Sequence, residues 1–418
     1  MKWPRVRLAD VAEVLGGSTP SRDRQDYWNG DIPWLTPTDL PMPGEGIAEV
    51  CDTTERITEA GLAAISASLL PPGTVLFSSR ATIGKIGIAA VPLVTNQGFA
   101  NFVPSKAILP NFLAYCLLYY REEISHLAGT TTFKEVRRGA LKRFQIPLPP
   151  LSEQRRIVEI LDQADALRKK RVEADAKAAR ILPALFCKMF GDPATNPNRW
   201  PMKSLCALGA TVRYGLGQPP NLKTSGVPFI RATNISRGKI EGQDVLRVDP
   251  DSVPKGRDAF LRAGEVIVVR SGAYTGDVAQ VTGRWLGSVI GYDLVVSPGT
   301  QLLGEFLEAY LLSPFIQKGY FANAKARAGQ PHLNAEQLAA TPVPEIPLDL
   351  QRTFAKCVCT YRGLRDAISQ SGQQLSVLCS TLLHRAFTGD LTARWREAHM
   401  KELLAEMEAQ SKLLEAVR

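Results

Sequence analysis

The sequence predicts an α+β protein in which one unit occurs twice, each unit being a globular domain followed by a long helix. Three observations predict this fold. First, residues of the two halves match in the same order along the chain; the matched pairs include Trp3 with Trp200, Gly73 with Gly264 and Gln154 with Gln351. Second, each half begins with short apolar runs between Gly, Pro and Asn turns, which is typical of β-strands. Third, each half ends in a long stretch whose apolar residues recur every seven positions, which is typical of paired helices.

The repeat divides the 418 residues into five segments. Runs such as TVLFSS and EVIVVR are predicted strands, and PNFLAYCLLYYREEISHL is a predicted helix among them. The segments are a first globular domain (1–147), a central helix (148–192), a second globular domain (193–344), a distal helix (345–390) and a helical tail (391–418).

The central helix begins abruptly within IPLPPLSEQRRIVEILDQAD, residues 146–165. Pro149 and Pro150 disfavour helix before them, and the Ser152 hydroxyl is a predicted N-cap. Asp349 is the equivalent predicted cap of the distal helix. Both helices end in a Gly-Asp pair, which predicts glycine just beyond the last turn. The central helix is predicted to run unbroken over about 36 residues, or ~54 Å.

Each helix carries two predicted contact rows. On the central helix these are Ile157, Ala164 and Leu185 in one row, with Ile160, Leu167 and Ile181 in the other. On the distal helix they are Phe354, Tyr361, Ile368, Leu375 and Leu382, with Leu364 and Leu378 in the second row. The rows predict that the two helices pair antiparallel; the alternative is that each lies separately on a globular core.

Composition bounds the function. Hydrophobic residues make up 45% and charged residues 22%, which is ordinary for a globular protein. The sequence contains neither an apolar run of about 20 residues nor a signal-peptide pattern, so we predict a cytoplasmic protein without a membrane partner. The seven cysteines form no CxxC pair and are predicted to be structural thiols. The net charge of +9 favours a nucleic-acid partner, although a basic protein without one is the alternative.

The sequence lacks the common catalytic motifs. It contains no Gly-rich phosphate loop and no Gly-x-Ser-x-Gly, and the four histidines are scattered without metal-ligand spacing. We therefore predict that the chain is not an enzyme and binds neither a metal nor a cofactor.

The stretch PLPPLSEQRRIVEILDQAD strongly resembles the conserved segment of specificity subunits from type I restriction–modification systems. The second copy, PLDLQRTFAKCV, keeps the Gln-Arg pair but departs from the pattern at Asp349, Leu350 and Phe354. The resemblance covers roughly residues 1–397 and extends to FGDP and FTGDLTARWR, which follow the two helices.

The resemblance implies a non-catalytic, DNA-binding subunit. Each globular domain would be a target-recognition domain that reads one half of an asymmetric, two-part site in double-stranded DNA, with the helix pair as spacer. Two modification subunits would bring S-adenosylmethionine, and restriction subunits would use ATP and Mg²⁺. The rival hypotheses are a DNA-dependent enzyme with an unrecognised site and a coiled-coil adaptor without a nucleic-acid role.

The resemblance also suggests DNA-contacting residues. In the first domain these are Ser79, Arg80, Thr130, Thr131, Lys134, Arg137 and Arg138. In the second domain they are Arg231, Asn234, Arg270, Ser271, Gln330, His332 and Asn334. Lysine and arginine suit phosphates, whereas arginine, glutamine and asparagine can read base edges. The alternative is that these loops make tight turns whose polar groups cap helices.

The tail has no counterpart in the first half. Leu403, Leu404, Met407, Leu414 and Val417 are predicted to form an apolar stripe on a charged helix. We expect this stripe to dock on a modification subunit; the alternative is that the helix folds back on its own chain.

Overall fold

The computed structural model describes residues 3–129, 134–322 and 332–417, with side chains to residue 415. The chain forms two compact units. The first unit combines Met1–Arg171 with Gly372–Arg418, and the second is the continuous stretch Val172–Ser371. Both units contain helices and sheets, so the α+β prediction is confirmed.

The first domain contains two main sheets. Its strands are β1 (Arg5–Arg7), β2 (Ala12–Gly16), β3 (Trp28–Leu35), β4 (Ile47–Val50), β5 (Glu55–Ile57), β6 (Val75–Ser78), β7 (Ile86–Ala89), β8 (Val94–Thr95), β9 (Phe99–Pro104) and β10 (Gln145–Pro147). Its helices are α1 (Leu8–Val11), α2 (Glu59–Ala63), α3 (Pro110–Tyr119), α4 (Arg121–His126) and α5 (Arg138–Arg143). The sheets have the orders β2-β9-β6-β7-β4 and β5-β3-β8, and β1 pairs with β10. The core beneath them includes Phe77, Phe102 and Phe112, all with no exposed surface.

The central helical segment is broken, so the prediction of one continuous helix is wrong. Helix α6 (Leu151–Ala178) is followed by a turn and then by α7 (Ile181–Phe190). Pro183 lies in the first turn of α7, where it has no amide hydrogen to donate and its ring opposes a continuous helix. Helix α7 ends at Gly191, whose φ of 87° is a left-handed conformation that suits glycine.

The second domain repeats the sheet topology of the first. Its strands are β11 (Met202–Ser204), β12 (Thr211–Tyr214), β13 (Leu222–Ile230), β14 (Ile235–Ser236), β15 (Lys239–Ile240), β16 (Leu246–Val248), β17 (Val266–Val268), β18 (Val278–Gln280), β19 (Val289–Ile290), β20 (Leu294–Ser297) and β21 (Pro342–Pro344). Helices α8 (Gly304–Leu311) and α9 (Ala335–Ala339) flank a π-helical turn at Phe315–Tyr320. The orders β12-β20-β17-β18 and β16-β13-β19 match those of the first domain, and β11 pairs with β21 as β1 does with β10. The hairpin β14-β15 has no equivalent among the described residues of the first domain, which has β4 instead.

The distal helix is continuous. Helix α10 (Leu348–Thr388) has 41 residues, which corresponds to about 62 Å. Asp349 lies inside it and pairs with Arg352 at 2.8 Å, so it is not an N-cap. The helix is followed by Gly389 at φ 87°, as predicted. The tail forms α11 (Ala393–Ala398) and α12 (Met400–Val417).

Only one predicted contact row on each helix matches the burial. The row containing Phe354, Tyr361 and Leu382 is buried or half-buried, as is that of Ile157, Ala164 and Leu185. The second rows are wrong: Leu167, Ile181, Leu364 and Leu378 are between 46% and 54% exposed, and Ile160 is half-buried. The buried second rows lie one residue further on, as shown by Leu161, Val358 and Ala386. These residues pack into the domain cores. The predicted second row and the row one residue further on have similar apolar content, so only this packing shows which of the two is buried.

A buried glutamine attaches each helix to the globular domain that precedes it. Gln154 Oε1 accepts the Leu109 amide at 2.8 Å, and its Nε2 donates to the carbonyls of Ala107 and Pro149. Gln351 makes the same three bonds, with the Leu303 amide and the carbonyls of Gln301 and Ile346. The repeated glutamine therefore has the same structural role in both units.

The tail folds back on its own unit, so the docking of its whole stripe on a partner is wrong. Leu403 is 1% exposed and Gln410 donates to the Ala107 carbonyl at 2.7 Å, whereas Leu404 is 50% exposed. Glu406 accepts both the main-chain amide and the hydroxyl of Ser152 at the start of α6. Because α6 begins at Leu151, Ser152 lies inside the first turn and is not the predicted N-cap. The Glu406 carboxylate from the tail takes over the capping role.

A buried carboxylate holds the tail and the N-terminus on α6. Glu153 has no exposed surface and accepts hydrogen bonds from Trp3 Nε1, Thr392 Oγ1 and Arg396 Nε at 2.6–2.9 Å. The guanidinium of Arg396 also lies over the Trp3 ring. In the second unit Leu350 takes the position of Glu153 and is 37% exposed.

Candidate nucleic-acid interface

Both domains bring two distant segments together at the end of an equivalent central strand. In the first domain the Val136 amide donates to the Ser79 carbonyl, just beyond β6, at 2.8 Å. In the second domain the Leu333 amide donates to the Arg270 carbonyl, just beyond β17, at the same distance. Each junction also contains an isolated bridge, Arg80 with Glu135 and Ser271 with His332. The structure therefore places candidate residues from two loops side by side in each domain.

The junction of the first domain presents exposed cations. Arg80, Lys134, Arg137 and Arg138 are all exposed, and within the described residues no carboxylate pairs with them. The guanidinium of Arg138 lies close against the backbone of Gly16: a Cβ on residue 16 would lie 2.6 Å from Arg138 Nη1. These side chains can contact phosphates without first breaking an ion pair. Thr130 and Thr131 lie outside the described residues.

Ser79 cannot contact DNA as predicted. It is 3% exposed, and its hydroxyl faces the Gly98 carbonyl at 3.3 Å. Its main-chain amide donates to the same carbonyl at 2.8 Å. Ser79 therefore holds the junction together from beneath the surface.

Three predicted residues of the second domain have structural roles. Asn234 is 1% exposed and bonds to the Arg231 amide and the Gln243 carbonyl. Arg231 is half-buried and donates to the Asp244 carbonyl at 2.9 Å. Asn334 caps α9 by accepting the Gln337 amide at 2.8 Å. The helix-capping alternative is therefore correct for Asn334, and Gln330 lies outside the described residues.

Arg270 is the centre of an aromatic cluster that the sequence did not reveal. Its guanidinium lies over the rings of Tyr292, at 4.1 Å, and Tyr214, at 4.8 Å. Its Nη2 is 3.0 Å from His332 Nε2, which must accept because arginine has only donors. Tyr214 and Tyr292 are 41% and 49% exposed, so the cluster lies at the surface. Both tyrosines directly adjoin glycine in the sequence, the one available signal for a turn that presents an aromatic ring.

Asp293 supports the cluster from below. It is 2% exposed and accepts the Arg270 amide at 3.2 Å. Burial raises the pKa of Asp293 from 3.8 to about 6, against the opposing effects of the Arg270 amide and charge. Between these two pH values the folded state binds the proton more tightly than the unfolded chain, so this carboxyl lowers stability as the pH rises.

Asp293→Asn is therefore expected to increase the free energy of unfolding at pH 8 by about 1–3 kcal/mol relative to the native chain. The gain should shrink as the pH falls from 6 to 4, because the native carboxyl becomes protonated, and the amide oxygen can still accept from Arg270. Urea unfolding of both proteins at pH 4, 6 and 8 measures this difference in the free energy of unfolding. Asp258→Asn is the control, since Arg262 lowers the pKa of that exposed carboxyl. A difference that is constant with pH would contradict the prediction.

Two classes of site are absent from the part of the chain that the structure describes. No group of three or more His, Cys, Asp or Glu side chains there could hold a metal ion. No helix among the same residues is long and apolar enough to cross a membrane.

Comparison with known proteins shows which proteins this chain resembles. Residues 1–175 match the family model described as the type I restriction modification DNA specificity domain. The type I restriction enzyme MjaIX specificity subunit of Methanocaldococcus jannaschii is 32% identical over 265 residues, or 58% of this chain and 61% of that one. The EcoKI specificity subunit of Escherichia coli is 23% identical, over 100% of this chain and 95% of its own length.

The chain is similar to type I specificity subunits, and the family-model match lies in residues 1–175. Its alignment covers less than two thirds of the MjaIX specificity subunit and 42% of the EcoR124I/EcoR124II specificity subunit of Escherichia coli. A solved type I restriction–modification S subunit from M. genitalium has a similar fold, with a TM-score of 0.56 and 15% identity. That match covers 93% of this chain and 96% of the solved chain. The predicted family resemblance is thus confirmed.

Proposed function

We propose that this chain is the sequence-specific DNA-binding subunit of a type I restriction–modification complex. The observation that carries the proposal is the duplicated junction, which presents exposed cations in one domain and an arginine–tyrosine cluster in the other. Two equivalent target-recognition domains, one for each half-site, account for an asymmetric, two-part DNA site. The chain itself has no catalytic role and works in the cytoplasm.

The helices are the proposed spacer and docking scaffold. Within the first unit, Ile157 and Leu161 of α6 share a core with Ala386 and Phe387 near the end of α10. Within the second unit, Phe186 and Phe190 of α7 share a core with Phe354 near the start of α10. This order of contacts within each unit supports the proposal that the two helices run antiparallel.

The partners follow from the same proposal. Two modification subunits would bind S-adenosylmethionine, and restriction subunits would bind ATP and Mg²⁺, so this chain binds no cofactor. The adaptor alternative gives the exposed cations of the first junction no role. The enzyme alternative has no catalytic cluster to support it at either junction within the residues that the structure describes.

DNA affinity is expected to fall about 10³-fold or more between roughly 50 and 200 mM salt, because phosphate contacts release counterions. Replacing Arg80, Arg137 and Arg138 together by glutamine should reduce the salt slope by about one for each lost phosphate contact. Fluorescence anisotropy with a labelled duplex measures both. Arg352→Gln is the control, because Arg352 pairs with Asp349 on α10. An unchanged slope in the triple variant would exclude the first junction as the phosphate-binding surface.

Exchange of residues 1–147 for the same domain of a relative is expected to change one half of the recognised sequence and leave the other half unchanged. The reason is that β1 and β10, the first and last strands of the exchanged segment, pair with each other, so the segment begins and ends at one place in the fold. Selection from a randomised duplex library gives both half-sites in one measurement. A change in both halves, or in neither, would refute the assignment of one domain to one half-site.

A further inference from the structure

We propose that Arg270 reads a guanine in the half-site bound by the second domain, and that Tyr214, Tyr292 and His332 position it for this. The inference rests on the proposed function and adds the reading residue and the base. Arginine recognises guanine in the major groove by two parallel hydrogen bonds to O6 and N7.

The guanidinium of Arg270 is held before any ligand arrives. It lies over two tyrosine rings and is bonded through Nη2 to His332. Such contacts restrict the side-chain torsions, and a restricted side chain loses less entropy when it binds. A phosphate contact needs only a charge, whereas base reading needs a planar group in a fixed orientation.

The positioning residues are themselves fixed by the fold. The Tyr214 hydroxyl accepts the Ala335 amide at the start of α9, at 3.0 Å. The main chain of Arg270 is bound on both sides, by Asp293 at its amide and by Leu333 at its carbonyl. A reading group that is supported by a second layer of contacts keeps the geometry that discrimination between bases requires.

Arg270 also retains unused hydrogen-bonding capacity. Its Nε is buried and has no hydrogen-bond partner among the described residues. That atom is not accessible to a ligand, so a base would meet the outer edge formed by Nη1 and Nη2, where His332 takes one of the four N–H donors. Guanine presents two acceptors in line on its major-groove edge, which matches that edge.

The first domain cannot read DNA in the same way at this position. The residue equivalent to Arg270 is Ser79, which is buried and bonded to Gly98. Its neighbour Arg80 is exposed and has no ring against it among the described residues. The duplicated fold therefore assigns this mode of reading to the second half-site alone.

The test uses the full chain and duplex libraries in which each half-site is randomised in turn. The native chain should select a guanine at one position of the second half. Arg270→Lys keeps the charge but loses the paired donors, and it should lower the preference for that guanine about tenfold or more. All other selected positions should remain. Arg284→Gln is the matched control, since Arg284 lies over Trp285 at 4.5 Å and makes no contact with this cluster among the described residues.

Tyr292→Ala tests positioning. It should weaken the preference for the same guanine and leave the first half-site and the thermal unfolding temperature unchanged. If Arg270→Lys and Arg270→Gln lower affinity equally for all sequences, Arg270 is a phosphate contact and the inference fails. It also fails if the second half-site contains no preferred guanine. Absence of any DNA binding by the native chain would instead overturn the proposed function itself.

Discussion

Replacing Glu153 by leucine is expected to lower the free energy of unfolding of the first unit by about 3–5 kcal/mol. The substitution leaves the buried guanidinium of Arg396 without its carboxylate, and Arg396 is only 8% exposed. It also removes the acceptor of the Trp3 and Thr392 hydrogen bonds. The N-terminus and the tail should therefore detach from α6 together.

The measurement must separate the two units. Hydrogen exchange of amides in β6 and β9 reports on the first unit, and exchange in β17 and β20 reports on the second. Leu350→Ala is the matched control in the second helix, and it should change stability by less than about 1 kcal/mol because that side chain is partly exposed. Replacing Glu153 and Arg396 together by leucine should recover much of the loss. A loss below about 1 kcal/mol in Glu153→Leu would show that the cluster does not hold the tail.

Gln351→Leu is expected to cost more than Gln154→Leu, although both side chains make the same three hydrogen bonds. In the second unit the substitution leaves the Leu303 amide and two carbonyls unpaired, at about 1–3 kcal/mol for each buried group. In the first unit Gln410 of the tail also donates to the Ala107 and Pro149 carbonyls. Only the Leu109 amide then loses its partner, so about 1–2 kcal/mol should be lost.

The double substitution Gln154→Leu with Gln410→Leu should remove this protection and match the cost of Gln351→Leu. The same exchange experiment measures all four proteins. Gln410→Leu alone is the control, since Gln154 still donates to both carbonyls. Equal costs for Gln154→Leu and Gln351→Leu would mean that the tail contributes nothing to the attachment of α6.

The sequence predicted the features that depend on local pattern. The repeated order of matched residues predicted two equivalent domains, because a duplicated fold needs the same turns and the same buried glutamine at the same places. Gly191 and Gly389 were predicted correctly because left-handed backbone strongly favours glycine. The break before α7 could also have been predicted, since Pro183 cannot continue a helix.

Features that depend on distant partners could not be predicted. Ser152 looks like a helix cap, but the cap is Glu406, which lies far along the chain. Asn334 carries the groups to read adenine, yet its side chain is used to cap α9. Arg270 differs from other arginines of the sequence only through Tyr214, Tyr292 and His332, which the fold brings together from separate strands and loops. Burial of Ser79 and Asn234 likewise follows from tertiary packing alone.

The division of the chain between its units has a consequence for synthesis. The second unit, Val172–Ser371, is continuous, whereas the first needs Gly372–Arg418 to complete it. During translation the second unit has all its residues before the first does, so it should reach its native state earlier. Until then the first domain is incomplete, and the surface of α6 that the tail later covers is exposed. A premature stop shortly after residue 371 would therefore spare the second unit and leave the first as a substrate for chaperones and proteases.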